Sequence, residues 1–279
     1  MNNGNSCIIL CDGGFGNRIN SLLGGLCVTE MLNTTPIICW PKNNWCDCSF
    51  SDLFQKDLNM VIDCGINELF QNHLNDAFLI HENQTNFHLN FVVPITQQNV
   101  IALSEQHKNI IYYNSLIPHF CSKENTLSKL RHLTINSEIV KYCDDFALKH
   151  NISKDVSGIH LRGTDLKDIN NIKFWTQYVK DNDSKVFFVC SDELEIELLF
   201  KNYSNVILNK KTEYVTKLIN GNWNETIQDN QGRTFNFNVN RSSQSVKEAF
   251  ADMLILAKTN ILSENHSTFL NVAKMYNLL

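Results

Sequence analysis

The sequence predicts an α/β fold in which βα units lie on parallel sheets. Short apolar runs rich in β-branched and aromatic residues alternate with longer segments of helical periodicity, as is typical of such units. The composition agrees with a globular protein, because 43% of the residues are apolar and 19% are charged. At roughly 150 residues per domain, the 279 residues predict two domains.

The first βα unit stands at the beginning of the chain. We predict a buried strand at 7–11, a glycine-rich turn at 12–17 and a helix at 19–32 whose apolar residues form one stripe. A second strand at 37–40 is ended by Pro41.

The pattern is weaker between 55 and 120, and then becomes regular again. The elements predicted here are strands at 77–80 and 110–113 and helices at 123–133 and 137–149. The polar stretch 150–155 predicts a domain boundary, so we assign residues 1–152 to an N-terminal domain and 153–279 to a C-terminal domain.

The C-terminal domain begins a new series of alternating elements. The predicted strands are 156–161, 186–190, 206–208 and 260–263, and the predicted helices are 174–180, 193–201, 245–258 and 267–276. Asp192 occupies the expected N-cap of the second of these helices. The Asn-rich segment 220–244 is long for a mere connection, so we expect a functional or mobile loop there.

Charge and cysteine content restrict the partners. The net charge of −5 gives no overall attraction to nucleic acid or to anionic lipid. The first apolar run is too short for a signal peptide or a membrane span, so we expect a cytoplasmic protein without a transmembrane segment. The ten cysteines are scattered, as reduced core thiols are, and Cys46 and Cys48 lack further ligands at zinc-finger spacing.

Two turns carry side chains suited to binding an anion. Asp12-Gly-Gly-Phe-Gly-Asn-Arg18 lies between a strand and a helix, where glycines let backbone N–H groups approach a phosphate. His160-Leu-Arg-Gly-Thr-Asp165 follows a predicted strand at its carboxyl end, the usual place of ligand crevices in α/β sheets. Structural alternatives remain open: a tight glycine turn, an Arg162–Asp165 ion pair and a core imidazole at His160.

The last part of the chain holds a third polar group. Asp252 lies inside an otherwise apolar helix, and Ser267 and Thr268 begin the last helix, where hydroxyl groups donate to phosphate or merely cap. Asp181-Asn-Asp183 matches the Asp-x-Asp metal motif, but it precedes a strand, so we predict an ordinary turn.

The order of these pieces resembles the superfamily of protein O-fucosyltransferases, α-1,6-fucosyltransferases and bacterial nodulation fucosyltransferases. The resemblance rests on Gly-Phe-Gly-Asn-Arg at 14–18, on the His-x-Arg segment at 160–165, and on the stretch from Asp252 to Phe269. It implies a GT-B architecture, with two Rossmann-like domains facing across a cleft, a nucleotide sugar held mainly by the C-terminal domain, and no metal or other cofactor.

The same resemblance implies roles for individual residues. Arg162 binds the donor diphosphate, Asn17 approaches the donor from the N-terminal domain, and Asp252 recognises the base. The complete donor-binding set that we expect is Gly14, Gly16, Asn17, Arg18, His160, Arg162, Asp192, Asp252, Ser267 and Thr268.

The sequence also departs from these relatives. Gly163 stands where some of them carry a second arginine, so Arg18 or Arg241 would have to supply that phosphate contact. The glutamate of the α-1,6 relatives has no match, Asn170 falling near its position, which leaves the general base open among Asp165, Asp168 and Asp12. The expected catalytic set is Arg162, Asp165 and Asp12.

These observations together predict a metal-independent inverting glycosyltransferase. We expect it to move fucose from GDP-fucose to a hydroxyl of a glycan or glycolipid acceptor. The same fold could use another donor such as UDP-xylose, and a non-catalytic nucleotide-sugar or glycan-binding protein is the alternative of a different class.

Overall fold

The computed structural model describes residues 6–55, 61–62, 77–81, 96–106, 109–164, 167–228, 234–235, 237–264 and 267–279. The chain divides into two compact units. One consists of Met1–Lys42, Ser49–Ile135 and Leu279, and the other of Asn43–Cys48 and Asn136–Leu278. Within the described ranges, no helix is both long and apolar enough to cross a membrane.

The first unit is built on a parallel five-stranded sheet. Its strands are β1 (Ser6–Leu10), β2 (Thr35–Cys39), β3 (Val61–Ile62), β4 (Ala77–His81) and β5 (Asn109–Tyr113), in the order β3-β2-β1-β5-β4. Its helices are α1 (Phe15–Leu32), α2 (Phe50–Leu53), α3 (Gln97–Gln106) and α4 (Lys123–His132). The chain continues from β1 to β2 on one side, while β5 pairs on the other, so the strand order reverses at β1.

Close packing holds α1 against the middle of this sheet. Residues Cys7 to Leu10 of β1 are completely buried. A Cβ atom at Gly25 would lie 2.4 Å from Cγ2 of Ile9, so only glycine allows the helix to approach the strand this closely. The turn between β1 and α1 is thereby fixed at the carboxyl edge of the sheet, beside the point where the strand order reverses.

The second unit has a parallel four-stranded sheet. Its strands are β6 (Ser157–Leu161), β7 (Phe187–Ser191), β8 (Val206–Leu208) and β11 (Asn260–Ile261), in the order β11-β6-β7-β8. Its helices are α5 (Ser137–Lys149), α6 (Ile169–Asp181), α7 (Leu194–Leu198), α8 (Ser243–Ala257) and α9 (Thr268–Asn277). A short antiparallel pair, β9 (Ile227–Gln228) and β10 (Thr234–Phe235), lies in the long segment after β8.

One core cluster of this unit shows how the sheet is covered. Ile159, Leu161, Phe187 and Val189 of β6 and β7 pack against buried residues of α6 and against Ile196 and Phe200. The strand order reverses between β6 and β11, so the loops after these two strands leave the same carboxyl edge.

The predicted α/β fold with parallel sheets is confirmed, and most predicted elements are present. Helix α1 begins at Phe15, with Gly14 as its N-cap, four residues before the predicted start at 19. Helix α6 begins at Ile169 instead of 174, because the Asp168 carboxylate accepts from the backbone N–H groups of Asn170 and Asn171 and caps it. The helix predicted at 193–201 is shortened to α7, and its N-cap is Glu193, not Asp192.

Other elements were not predicted at all. Helices α2 and α3 lie where the apolar pattern is weak. Strand β3 and the pair β9 and β10 have only two residues in each strand. Helix α5 packs on α8 within the second unit. The predicted domain division at 152/153 stays a prediction.

Candidate functional site

The glycine turn of the first unit connects β1 to α1. Gly13 has a φ of +80°, which favours glycine, and Gly14 begins the helix with extended backbone angles. A Cβ atom on Gly14 would meet nothing within 4 Å, whereas one on Gly13 would lie 3.1 Å from Nδ2 of Asn17. The backbone at Gly14 is therefore open to a ligand, and Gly16 and Asn17 lie in the first turn of α1.

Arg18 holds this turn from the inside. Its side chain is completely buried and lies with its guanidinium 5.2 Å from the Trp40 ring. Nε donates to the Gly13 carbonyl at 2.8 Å, Nη1 donates to the Pro41 carbonyl at 2.6 Å, and Nη2 lies 3.7 Å from the Asp12 carboxylate. This geometry gives no support to direct phosphate binding by Arg18, because its guanidinium donates to backbone carbonyl groups of the first unit and lies beside Asp12.

In the second unit, the loop after β6 carries Arg162. The strand is buried along its length, and Arg162 is the first residue after it, half-buried at the carboxyl edge. Asp192, which follows β7, accepts hydrogen bonds from the Gly163 N–H and the Thr164 hydroxyl, both at 2.7 Å. Asp192 therefore shapes the loop that presents Arg162, a role that its predicted position as a helix cap did not suggest.

Gly163 is required by the packing of this loop. A Cβ atom there would lie 2.4 Å from Cβ of Glu193, and Glu193 is in turn held by Lys167 at 2.7 Å. A second arginine at this position would not fit without moving the loop. Its absence thus follows from the packing around Gly163.

His160 is a core imidazole beside the same edge. It is 5% exposed, its backbone N–H donates to the Ser263 hydroxyl, and its ring stacks on Phe269 at 4.5 Å. Burial lowers the pKa of His160 to about 4, against the opposing charge of Asp192, so the ring is neutral at pH 7. These contacts join the end of β6 to the loop after β11 and to helix α9.

The start of α9 lies at the end of that second loop. Ser267 is in the N-cap position and is 5% exposed, but its hydroxyl does not cap the helix. Thr268 is the first residue of the ten-residue helix. Backbone N–H groups and the helix dipole favour an anion at such a helix start.

Asp252 is buried behind this edge and already has two partners. It is 2% exposed; Oδ1 accepts from Nδ2 of Asn209, and Oδ2 accepts from the Lys211 ammonium, both at 2.7 Å. Asn209 and Lys211 are not among the residues predicted for the site. The only available signal was their position directly after β8, where they complete the set of strand ends at this edge.

The structure thus brings some of the predicted residues together and separates others. His160, Arg162, Asp192, Ser267 and Thr268 share the carboxyl edge of the second sheet, with Asp252 behind it. Gly14, Gly16, Asn17, Arg18 and Asp12 belong to the first unit.

The three aspartates considered as the general base differ in what the structure shows of them. Asp165 lies outside the described residues, Asp168 caps α6, and Asp12 faces the Arg18 guanidinium. In the described part of the chain, no three His, Cys, Asp or Glu side chains form a candidate metal site. Asp181 ends α6 and is followed by a turn, as predicted.

Comparison with known proteins identifies a shared fold. No family model and no curated protein sequence matches the chain. The crystal structure of the fucosyltransferase NodZ from Bradyrhizobium is similar, with a TM-score of 0.61 and 17% identity, over 97% of this chain and 91% of that chain.

Two further solved structures are similar over nearly the whole chain. The NodZ α-1,6-fucosyltransferase soaked with GDP-fucose has a TM-score of 0.57 and 16% identity, over 98% of this chain and 92% of that chain. POFUT1 in complex with GDP-fucose has a TM-score of 0.50 and 14% identity, over 98% and 94%. The chain therefore shares its α/β fold with solved fucosyltransferases.

Proposed function

We propose that the protein is a glycosyltransferase that moves fucose from GDP-fucose to a hydroxyl group of a glycan or glycolipid acceptor. One observation carries the proposal. Asp192 accepts from the Gly163 N–H and the Thr164 hydroxyl, so that Arg162 stands at the carboxyl edge of the second sheet, where the loop before α9 also ends. The shared fold with fucosyltransferases supports the choice of donor.

This arrangement suits the departure of a nucleoside diphosphate. The acceptor hydroxyl attacks the anomeric carbon as the bond from that carbon to the β-phosphate oxygen breaks, and negative charge grows on the leaving diphosphate. The Arg162 guanidinium can donate to two phosphate oxygens at once. Hydroxyl and N–H groups at Ser267 and Thr268 stabilise the same charge, so the proposal needs no metal ion.

Attack opposite to the leaving group inverts the anomeric centre and requires a base for the hydroxyl proton. We propose Asp165 or Asp12 for this role, and Gly14, Gly16 and Asn17 remain in the proposed donor set. Replacing Asp165 or Asp12 by Asn should lower kcat while GDP-fucose binding is kept. A variant that retains the wild-type kcat removes that residue from the proposal.

The donor is tested by thermal stabilisation of the purified protein with GDP, UDP, GDP-fucose, UDP-xylose and other nucleotide sugars, first without metal and then with a chelator. A ligand that binds the folded state raises its melting temperature. The proposal predicts a chelator-resistant shift that is largest for GDP-fucose. A shift confined to uridine nucleotides would mean that the donor is a UDP-sugar and not GDP-fucose. No shift with any nucleotide would overturn the proposal.

Transfer itself is tested with labelled GDP-fucose and an array of glycan acceptors. The expected result is labelled product with inverted anomeric configuration. Binding of GDP-fucose without transfer to any acceptor and without its slow hydrolysis would favour a nucleotide-sugar-binding protein instead.

A further inference from the structure

A buried lysine lies at the centre of a polar network in the second unit. Lys211 comes three residues after β8, and its side chain is only 4% exposed. Lysine is almost never buried unless it is paired, because removing an ammonium group from water costs several kcal/mol. The partners of Lys211 therefore indicate what it does.

The ammonium group donates three hydrogen bonds. Its acceptors are Oε1 of Glu197 at 2.5 Å, Oδ2 of Asp252 at 2.7 Å and the backbone carbonyl of Ser191 at 2.6 Å. These bonds use all three N–H donors of a lysine. Burial acts to lower the pKa of Lys211, but Asp252 and Glu197 outweigh it and raise the pKa above its usual range, which favours the charged ammonium form.

One side of the network fixes the end of β7. Lys211 binds the carbonyl of Ser191, while Oε1 of Glu197 accepts from the Ser191 N–H at 2.8 Å. Both backbone groups of this residue are thereby held by buried charges. The next residue is Asp192, which shapes the loop of Gly163 and Thr164, so the constraint reaches the loop that carries Arg162.

The other side of the network fixes Asp252. Its second carboxylate oxygen accepts from Asn209, whose own Oδ1 accepts from the Tyr142 hydroxyl at 2.5 Å. Oε2 of Glu197 accepts from the Tyr214 hydroxyl at 2.6 Å. Among the hydrogen bonds described here, only the Lys211 ammonium group contacts all three of Asp252, Glu197 and the backbone of β7.

We propose that Lys211 is a positioning residue of the donor site, which connects Asp252 to the Arg162 loop through Ser191 and Asp192. This inference rests on the proposed function. Without the ammonium, two buried carboxylates face each other and the Ser191 carbonyl loses its donor, so the end of β7 and Asp192 must shift. The loop of Arg162 then loses its binding geometry although Lys211 itself does not touch the donor.

The test is GDP affinity of Lys211→Met, with Lys258→Met as the matched control. Lys258 is the C-cap of α8 in the same unit, and its ion pair with Asp144 is exposed, so the control loses an equal charge without touching the network. We expect at least tenfold weaker GDP binding in folded Lys211→Met and unchanged binding in Lys258→Met. Equal GDP affinity of folded Lys211→Met and wild type would overturn the inference.

A double-mutant cycle with Asp192→Ala separates positioning from mere stability. If Lys211 acts through Asp192, then Lys211→Met should cause little further loss of GDP affinity once Asp192 is replaced. A lysine that only stabilises the fold would give losses of affinity that add. Additive losses would therefore reject the connection even if both single variants bind weakly.

A second variant covers the case in which Lys211→Met does not fold. The network has one ammonium and two carboxylates, and Lys211→Met combined with Glu197→Gln keeps its net charge at −1. Compared with Glu197→Gln alone, this double variant should bind GDP at least tenfold more weakly, and equal affinity contradicts the inference. Wild-type protein that binds no nucleotide would instead refute the proposed function.

Discussion

Arg162 is the single side chain on which the proposed chemistry depends most. It is half-buried and follows a fully buried strand, so its removal takes little from the core. We predict that Arg162→Ala weakens GDP-fucose binding by about 10- to 100-fold, since a hydrogen bond to a charged group contributes about 1.5–3 kcal/mol. Isothermal titration measures this loss, and the melting temperature should change by only about 2 °C.

Two further arginine variants sharpen this experiment. Arg162→Lys keeps the charge but loses the two-pronged contact, so its affinity should fall between wild type and Arg162→Ala. Arg131→Ala removes an exposed arginine of α4 and should bind as wild type does. If Arg162→Ala lowers stability but binds GDP-fucose normally, Arg162 has a structural role.

The burial of His160 predicts how the stability of the protein depends on pH. Its pKa is about 4 in the folded protein, below the ordinary 6.5, because burial disfavours the charged ring. The unfolded state therefore binds more protons between these two pH values, and stability falls as pH falls through this window. The full pKa shift of His160 corresponds to a loss of at most about 3 kcal/mol in the free energy of unfolding.

The measurement is urea unfolding from pH 7 to pH 4 for wild type and His160→Phe. The variant keeps a ring against Phe269 but cannot titrate, so its stability should decline less over this range. His132→Gln, a substitution at an exposed histidine of α4, is the control variant. Parallel curves for wild type and His160→Phe would show that His160 does not contribute to acid sensitivity.

At the scale of elements, the two glycine loops should respond differently to the same methyl group. A Cβ atom at Gly163 would collide with Glu193, whereas one at Gly14 would meet nothing within 4 Å. We predict that Gly163→Ala costs about 1–3 kcal/mol, as overpacking does. Gly14→Ala should cost less than about 1 kcal/mol, because φ is −70° and only the preference for Gly over Ala at an N-cap is lost.

Urea unfolding of both variants measures these costs, and GDP affinity reports on the loops themselves. Gly163→Ala should weaken GDP binding as well, because the loop that carries Arg162 has to move. Equal stability of the two variants would mean that the loop after β6 can move to accept the methyl group without loss of stability. The close packing around Gly163 would then not constrain Arg162.

The order of elements could be predicted from the sequence, while several of their ends could not. Strands β1 and β7 contain continuous apolar runs, which is how a strand buried on both faces is recognised. Helix α6 begins earlier than predicted because Ile169 is exposed and Asn170 and Asn171 interrupt the apolar pattern. The Asp168 cap is a local bond that periodicity does not detect.

The candidate site was predictable where it depends on the end of one strand, and not where it depends on long-range contacts. Arg162 follows β6 in sequence, so its place at the sheet edge could be inferred. Lys211 touches Ser191, Glu197 and Asp252, which lie 20, 14 and 41 residues away. Arg18 was predicted in the donor set, with Arg18 or Arg241 as the source of a phosphate contact, and nothing in the sequence shows that the Pro41 and Gly13 carbonyls accept from its guanidinium.

At the scale of the whole molecule, the cysteines provide a test of how well the two units are packed. The chain has ten cysteines, and nine of them are described, each as a free thiol. Eight of these nine are buried, and burial raises the pKa of Cys7 and Cys143 to about 12. Thiolates, which are the reactive form, are therefore rare at these positions at neutral pH.

Cys27 and Cys121 form a hydrogen-bonded pair of thiols. Their hydrogen bond lowers the pKa of Cys27, which is only 4% exposed, and raises the pKa of the more exposed Cys121. Neither thiol combines exposure with a thiolate-favouring environment, so both should react slowly.

We predict that a thiol reagent labels the nine described cysteines slowly in the native protein and all ten rapidly in urea. Mass spectrometry of the labelled peptides identifies each site, and a matched sample kept in reductant is the control for oxidation. GDP should slow the labelling of Cys190 further, because it precedes Ser191 at the end of β7 and ligand binding stabilises that unit. Rapid native labelling of Cys7, Cys143 or Cys190 would show that the packing around the sheets opens far more readily than their burial implies.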